Sequence, residues 1–279
     1  MSIKDKKITV LAKDNNFIST NNIYLNLNKI YSNIKIYNYR KITSTNEIAK
    51  KLALAGEKHG TVVIANEQTN GKGRLGRSFY SPANYGIYMS IILRPNLTVM
   101  DSILVTTSSS VAICDAIRKV TGIECQIKWI NDIYLNNKKV GGILTESCGN
   151  LNDSNIDYLI LGIGINCTLP KDKFPNELKS TASSLVDNND ASINREMLCA
   201  EIINNILDMI IDIKNPRLLS EYKKRNIVLN EEIIYIISGV SYIGKAIDIT
   251  DNGFLVVKHK DGSIRTLNST EISIRKLNK

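Results

Sequence analysis

Two apolar runs separated by a glycine- and cation-rich segment are what most restricts how this chain can fold. TVVIA (61–65) reads as a buried strand, and YGIYMSIILRP (85–95) reads as the next one, ended by Pro95. Between them, EQTNGKGRLGRSFYSP (67–82) packs three glycines and three cations into seven residues, Gly71 to Arg77. A third apolar strand, DYLILGIGIN (157–166), has glycines embedded in it.

Helical periods flank these strands. Ser44, followed three residues later by Glu47, is a capping box, and Ile48, Leu52 and Ala55 recur at helical spacing until Gly60. Long helices are expected over 100–120 and 194–213, with a short one over 217–225. ECQIKW (124–129) reads as a strand, and IYLNNKKVGGILTES as a hairpin around Asn136-Asn137. After Asn230 short strands alternate with Gly and Asp-Gly turn signals, the pattern of a small β-barrel appended to a larger α+β domain. The first 20 or so residues read as a loosely ordered extension.

A chain of 279 residues has room for one large domain or one plus a small one. No apolar run approaches the length of a membrane span, and the N-terminus lacks the apolar core of a signal peptide. The five cysteines are scattered and form no CxxC pair, as reduced cytoplasmic thiols are, which argues against a disulfide framework and a zinc site. The net charge of +9 sits at the ends: residues 1–40 carry +5, residues 255–279 carry +4, and the stretch between is neutral. Basic termini are a weak, non-specific attraction for phosphates or acidic partners.

Four features can carry chemistry. GKGRLGR lacks the Gly-Lys-Ser/Thr ending of a Walker A loop and does not lead into a helix. Its glycines would still let backbone N–H groups approach phosphate oxygens, with Lys72, Arg74 and Arg77 supplying charge. Spacing alone leaves a phosphate cradle and a solvated surface loop both open. In KWIND…KKVGGILTE, Lys139 stands before Gly141-Gly142, so a ligand can approach the backbone beside a cation; Trp129 reads equally as core and the lysines as exposed hairpin residues. TSTN (43–46) lies at a helix start, which favours an anion or polar ligand, although Ser44 and Thr45 are good N-caps whatever the function. Gly162 and Gly164 could bring a strand close to a bound ring, or simply pack it against a helix.

In this order and spacing, STN (44–46), EQTNGKGRLGRSFYSP (67–82), KWINDIYLNNKKVGGILTE (128–146), LGIGIN (161–166) and EISIR (271–275) resemble the biotin protein ligases, from about residue 25 to the end. The resemblance implies an α+β fold: a mixed β-sheet catalytic domain flanked by helices (21–229), then a small C-terminal SH3-like β-barrel (230–279), after an extension over 1–20. It implies activation of biotin by ATP, with Mg²⁺, to biotinyl-5′-adenylate, and transfer to a lysine of a biotin carboxyl carrier protein domain such as that of acetyl-CoA carboxylase. Such chemistry gathers negative charge and needs cations and N–H donors rather than a protein nucleophile.

Carried over by position, Ser44, Thr45, Asn46 and Gln68 would hold the biotin ureido ring. Gly71, Lys72, Gly73, Arg74 and Arg77 would belong to the loop closing over the adenylate, with Arg74 near carboxylate and phosphate. Lys139 would be the catalytic lysine, and Arg74 would share that work. Gly142 and Leu144 would line the biotin pocket. Phe79, Asn131, Asn166, Glu271 and Arg275, together with Lys72, Arg74, Arg77 and Lys139, would face the nucleotide. Asp132 would support its turn, and no protein metal ligands are implied.

The sequence departs from the family pattern at Lys72 (usually Arg), Phe79 (usually Trp) and Ile130 (usually Pro), and no tryptophan follows residue 166 to stack on adenine. Only 43 residues precede Ser44, too few for the winged helix-turn-helix of bifunctional members, so a cytoplasmic ligase without specific DNA or membrane partners is expected; a homodimer is compatible with it. The rival readings are a lipoate- or octanoate-protein ligase of the same fold and a non-catalytic nucleic-acid-binding protein. GKGRLGR and KVGGIL favour biotin over the first, and the neutral middle region counts against the second.

Overall fold

Alternation along the apolar strands sorts their side chains onto the two faces of one sheet. The structure, a computed structural model, describes residues 17–98, 101–148, 156–168, 174–186, 193–268 and 273–276. Its helices are α1 (Thr20–Asn26), α2 (Thr45–Leu54), α3 (Ser102–Thr121), α4 (Arg195–Ile211) and α5 (Pro216–Arg225). The large sheet is built from β1 (Ile36–Tyr39), β2 (Val62–Ala65), β3 (Gly86–Leu93), β4 (Gln126–Lys128), β5 (Asp132–Leu135), β6 (Lys138–Cys148) and β7 (Tyr158–Asn166), in the spatial order β1-β2-β3-β7-β6-β5-β4. β1 and β2 run parallel around α2, and the other neighbours are antiparallel, so the sheet is mixed.

Val62 and Ile64 point into the main core with α3 and α4, while Val63 between them meets Ala49 and Ala53 of α2 on the opposite face. The same period sends Leu159, Leu161, Ile163 and Ile165 of β7 to the main core. That leaves Gly162 and Gly164 on the α2 side. α3 ends at Gly122, whose left-handed φ of 73° closes the helix. The hairpin between β5 and β6 turns at Asn136 and Asn137, at φ 49° and 62°, as a two-residue loop of this kind requires.

β8 (Glu232–Ile237), β9 (Val240–Ile249), β10 (Leu255–Lys258), β11 (Ile264–Leu267) and β12 (Ser273–Lys276) form a second, antiparallel sheet, in the order β11-β10-β9-β8-β12. Its Ile233, Tyr235, Ala246 and Ile249 are continuous with the main core. Trp129, which is buried, donates its indole N–H to the Gly253 carbonyl at 3.0 Å, and Gly253 itself packs on Ile103 and Thr107 of α3. The fold is α+β, as expected.

Three local expectations change. Ser44 does cap α2, but its side chain makes no capping bond; the N–H of Thr45 is taken instead by Gln68 Oε1 at 2.7 Å, from a different segment. Glu47 is correspondingly free to bind Thr43 and Lys72. Ile18 is fully buried and Ser19 caps α1, so the end of the supposed extension belongs to the core; the rest of it, residues 1–16, lies outside the described residues. Helix α1 (TNNIYLN) and strand β1 (IYNY) are additional elements, each too short to show a periodic apolar pattern. Among the described residues no helix is long and apolar enough to cross a membrane.

Candidate active site

Strand register brings sequence-distant residues into rows across the α2 face. One row runs Ala65, Tyr88, Gly164, Gly142, Asp132 and Lys128; the next runs Val63, Ser90, Gly162 and Leu144. Three glycines in adjacent positions leave a trough in the sheet. A Cβ on Gly162 would run into the Asn46 amide, and one on Gly164 would stand 2.6 Å from the Phe79 ring. The cleft above this trough has a volume of about 740 Å³.

At one end of the trough the N-terminus of α2 and the strand β3 assemble a buried polar row. Gln68 Oε1 accepts from the Thr45 N–H at 2.7 Å and lies 3.1 Å from the Thr45 hydroxyl, while Gln68 Nε2 donates to Ser81 at 2.9 Å. Asn46 donates Nδ2 to Glu146 Oε2 at 2.7 Å, and its Oδ1 accepts from Ser90 at 2.6 Å. Ser44, Thr45, Asn46 and Ser90 are all buried, so this arrangement is held in place by its own hydrogen bonds. Ser90 and Glu146 were not anticipated. A serine inside the apolar run IYMSIIL was the visible signal for the first, since a polar group buried in a strand needs a partner.

At the other end are the cations. Lys139 Nζ lies 2.6 Å from Asp132 Oδ1, with its aliphatic end over Gly142, where a Cβ would come within 3.1 Å of Cε. Asp132 therefore does more than support its turn: it holds the ammonium. Arg74 Nη1 donates to Asn131 Oδ1 at 3.2 Å, and Asn131 is pinned in turn by its Nδ2 bond to the Ile143 carbonyl at 2.7 Å. Burial lowers the pKa of Arg74 and nearby Asp132 raises it; a guanidinium remains charged through either influence. Lys128 also lines the cleft, with Nζ 5.6 Å from the centre of the Tyr134 ring. Burial raises the Tyr134 phenol to about 12, so it stays neutral beside these groups.

The glycine-rich loop lies over the trough. Gly73 N–H donates to the Arg77 carbonyl at 2.7 Å and Phe79 N–H to the Gly71 carbonyl at 2.8 Å, and Leu75 at its tip is half exposed with φ 56°. Gly71 is buried under Phe79 and Ser81, leaving no space for a side chain. A second cavity of about 700 Å³ opens beyond the loop, between it and α3, so the loop is a thin wall with space on both sides.

The structure brings Ser44, Thr45, Asn46, Gln68, Lys72, Gly73, Arg74, Arg77, Phe79, Asn131, Lys139, Gly142 and Leu144 into one cleft. Lys72 reaches Glu47 of α2, with Nζ 2.7 Å from Oε1, rather than the far end of the cleft. Asn166 ends β7 with Nδ2 bound to the Ser183 carbonyl at 2.9 Å, and is not among the cleft-lining residues. Glu271 lies outside the described residues, as does the side chain of Arg275, whose backbone pairs with Ile234 in β12. It is Ile274 between them that lines the cleft, together with Thr181 and Ala182, none of which was anticipated.

A buried row of paired polar groups, a glycine trough and a cationic far end suit a ligand with a polar ring at one end and negative charge at the other. The model of the biotin/lipoate A/B protein ligase family matches residues 38–166, and that of the biotin protein ligase C-terminal domain matches residues 228–275. The bifunctional ligase/repressor BirA of Bacillus spizizenii is 36% identical over 242 residues, which are 84% of this chain and 72% of that protein. The biotin–[acetyl-CoA-carboxylase] ligase of Mycobacterium tuberculosis is 27% identical over 76% of this chain and 79% of its own length. The biotin protein ligase from Aquifex aeolicus, solved in complex with biotin and ATP, matches with a TM-score of 0.72 and 26% identity over 87% of this chain and 99% of that one. The chain belongs to the biotin protein ligase family.

Proposed function

We propose that this chain activates biotin with ATP to biotinyl-5′-adenylate, releasing pyrophosphate, and then passes biotin to a lysine of a biotin carboxyl carrier protein domain such as that of acetyl-CoA carboxylase. The observation that carries this reading is the hydrogen-bonding capacity left over in the polar row. Asn46 Oδ1 keeps one lone pair after accepting from Ser90, and Gln68 Nε2 keeps one N–H after donating to Ser81. A cyclic urea, with N–H donors and a carbonyl acceptor, matches both. The dithiolane ring of lipoate has neither and would leave buried polar groups without partners, a mismatch that costs far more than a poor apolar fit.

With the ring at the polar row, the carboxylate end of the ligand lies toward Lys139 and Arg74. The Lys139 ammonium would stabilise charge on the carboxylate and α-phosphate oxygens as they approach, and Arg74 would hold the same oxygens from the loop side. Phe79, sitting over Gly164, would exclude water from the ring. Among the described residues no three His, Cys, Asp or Glu side chains cluster into a metal site. Mg²⁺, however, keeps several waters and binds through one or two carboxylates plus substrate phosphates. Asp132 is the carboxylate the cleft offers beside Lys139, and it would hold such an ion together with ATP. The chemistry that ion supplies is neutralisation of phosphate charge.

The same proposal divides the chain into a catalytic part, expected over 21–229 and extended by the structure to include Ile18 and Ser19, and a C-terminal part, 230–279. A cytoplasmic location belongs with it, supported by five free cysteines; neither operator DNA nor a membrane is a proposed partner. The direct test incubates the protein with ATP, Mg²⁺, an apo carrier domain and either biotin or lipoate, then weighs the carrier. A mass gain with biotin alone is expected, and a gain only with lipoate, or none, overturns the reading.

Loop closure gives a second expectation. The loop has space on both sides and an exposed tip, so trypsin should cut after Arg74 or Arg77 in the empty protein. Biotin plus ATP should slow that cleavage about tenfold or more by ordering the loop over the adenylate. Equal cleavage with and without ligands would show that the loop does not close.

A further inference from the structure

We infer that Glu146 sets the direction of the Asn46 amide and is thereby a positioning residue for the ureido ring, an inference that rests on the biotin reading above. The two ends of an asparagine amide have nearly the same shape, so a buried amide points whichever way its neighbours dictate. Three groups touch that of Asn46. The Ser90 hydroxyl, 2.6 Å from Oδ1, can donate or accept and would tolerate either direction. The Leu144 carbonyl, at 3.4 Å from Nδ2, is an acceptor but a distant one. The Glu146 carboxylate, at 2.7 Å from Nδ2, is an ionised acceptor and would repel the amide oxygen if the group turned over.

Glu146 therefore decides that oxygen, not N–H, is available to the ligand. A ring N–H finds an acceptor in this orientation and would face another N–H in the reverse one. Gly162 makes the seat possible, since a side chain there would displace the amide. Register explains why one glutamate can do this: Leu144 pairs with Gly162 and Glu146 with Ile160, so Glu146 stands one step further along the same face. Lys139 is held by Asp132 over Gly142, two same-face steps back along β6 from Glu146, which separates this role from that of the ammonium.

The test is calorimetric titration of the full chain with biotin, desthiobiotin and ATP. In Glu146→Ala, both ureido ligands should bind about tenfold or more weakly, in parallel, with ATP affinity kept and a cooperative unfolding transition at a modestly lower midpoint. Glu146→Gln can still offer a carbonyl to Asn46 Nδ2 and should restore most of the loss. Glu146→Met, close in size but without an acceptor, replaces the alanine variant if that one does not fold. Unchanged biotin affinity, equal weakening of biotin and ATP, or a glutamine variant as weak as alanine each overturns the inference. Failure of the wild-type chain to bind biotin at all would instead overturn the proposed function.

Discussion

Lys139→Ala should slow adenylate formation by about a hundredfold to a thousandfold, the range seen when a single charge-stabilising donor is removed from a transition state. The fold should persist, because the backbone of Lys139 carries the architecture and its side chain does not. Its N–H donates to the Thr181 carbonyl at 2.9 Å and its carbonyl accepts from the Ser183 N–H at 2.8 Å, and both bonds survive truncation. The ammonium is only partly buried, with Asp132 as its salt-bridge partner at 2.6 Å, so the pair adds little to stability. Its removal does two things to the reaction. It takes away the cation nearest the developing charge, and it leaves Asp132 without its salt-bridge partner where phosphate and carboxylate must gather. Single-turnover release of pyrophosphate, followed alongside the thermal midpoint, reads the effect directly. A normal single-turnover rate would remove Lys139 from the chemistry.

Gly162→Ala should weaken biotin binding by more than tenfold and destabilise the chain by about 1–3 kcal/mol, as overpacking of a well-filled interior does. The new methyl would occupy the space of the Asn46 amide. β7 cannot move away to make room, because it is bonded on both sides, to Ser90 of β3 and Leu144 of β6 at this level. Asn46 must therefore turn out of its bonds to Ser90 and Glu146, and its buried amide loses its partners. Titration with biotin, together with a denaturant midpoint, separates the two losses. Full biotin affinity in a stably folded Gly162→Ala chain would exclude the Asn46 amide from the ring site.

Much of the fold was legible because its period is local. The helix beginning at Ser44, the hairpin at Asn136-Asn137 and the glycine-bearing strand over 157–166 each announce themselves within a dozen residues, and each is found, with small shifts at the ends. Less was legible where the partner is distant. Ser44 and Glu47 have the spacing of a capping box, yet the helix is capped by Gln68, more than twenty residues on, and Glu47 turns to the loop lysine. No local rule could choose between those arrangements, because the competing donors and acceptors are equivalent until the chain is folded.

The candidate site divides along the same line. By itself the sequence determined which residue types are present for the chemistry: a run of glycines and cations, a lysine before paired glycines, and a strand able to approach a ring. Those follow from what a glycine permits and what a cation attracts, and neither depends on the rest of the chain. Only the tertiary structure decided which of them face one another. Antiparallel register set Gly142, Gly162 and Gly164 side by side and placed Ser90 and Glu146 on either side of Asn46. A strand shifted by one residue would send every one of those side chains to the opposite face. The contents of the site are thus a property of composition along the chain, and its polarity and shape are a property of register between strands.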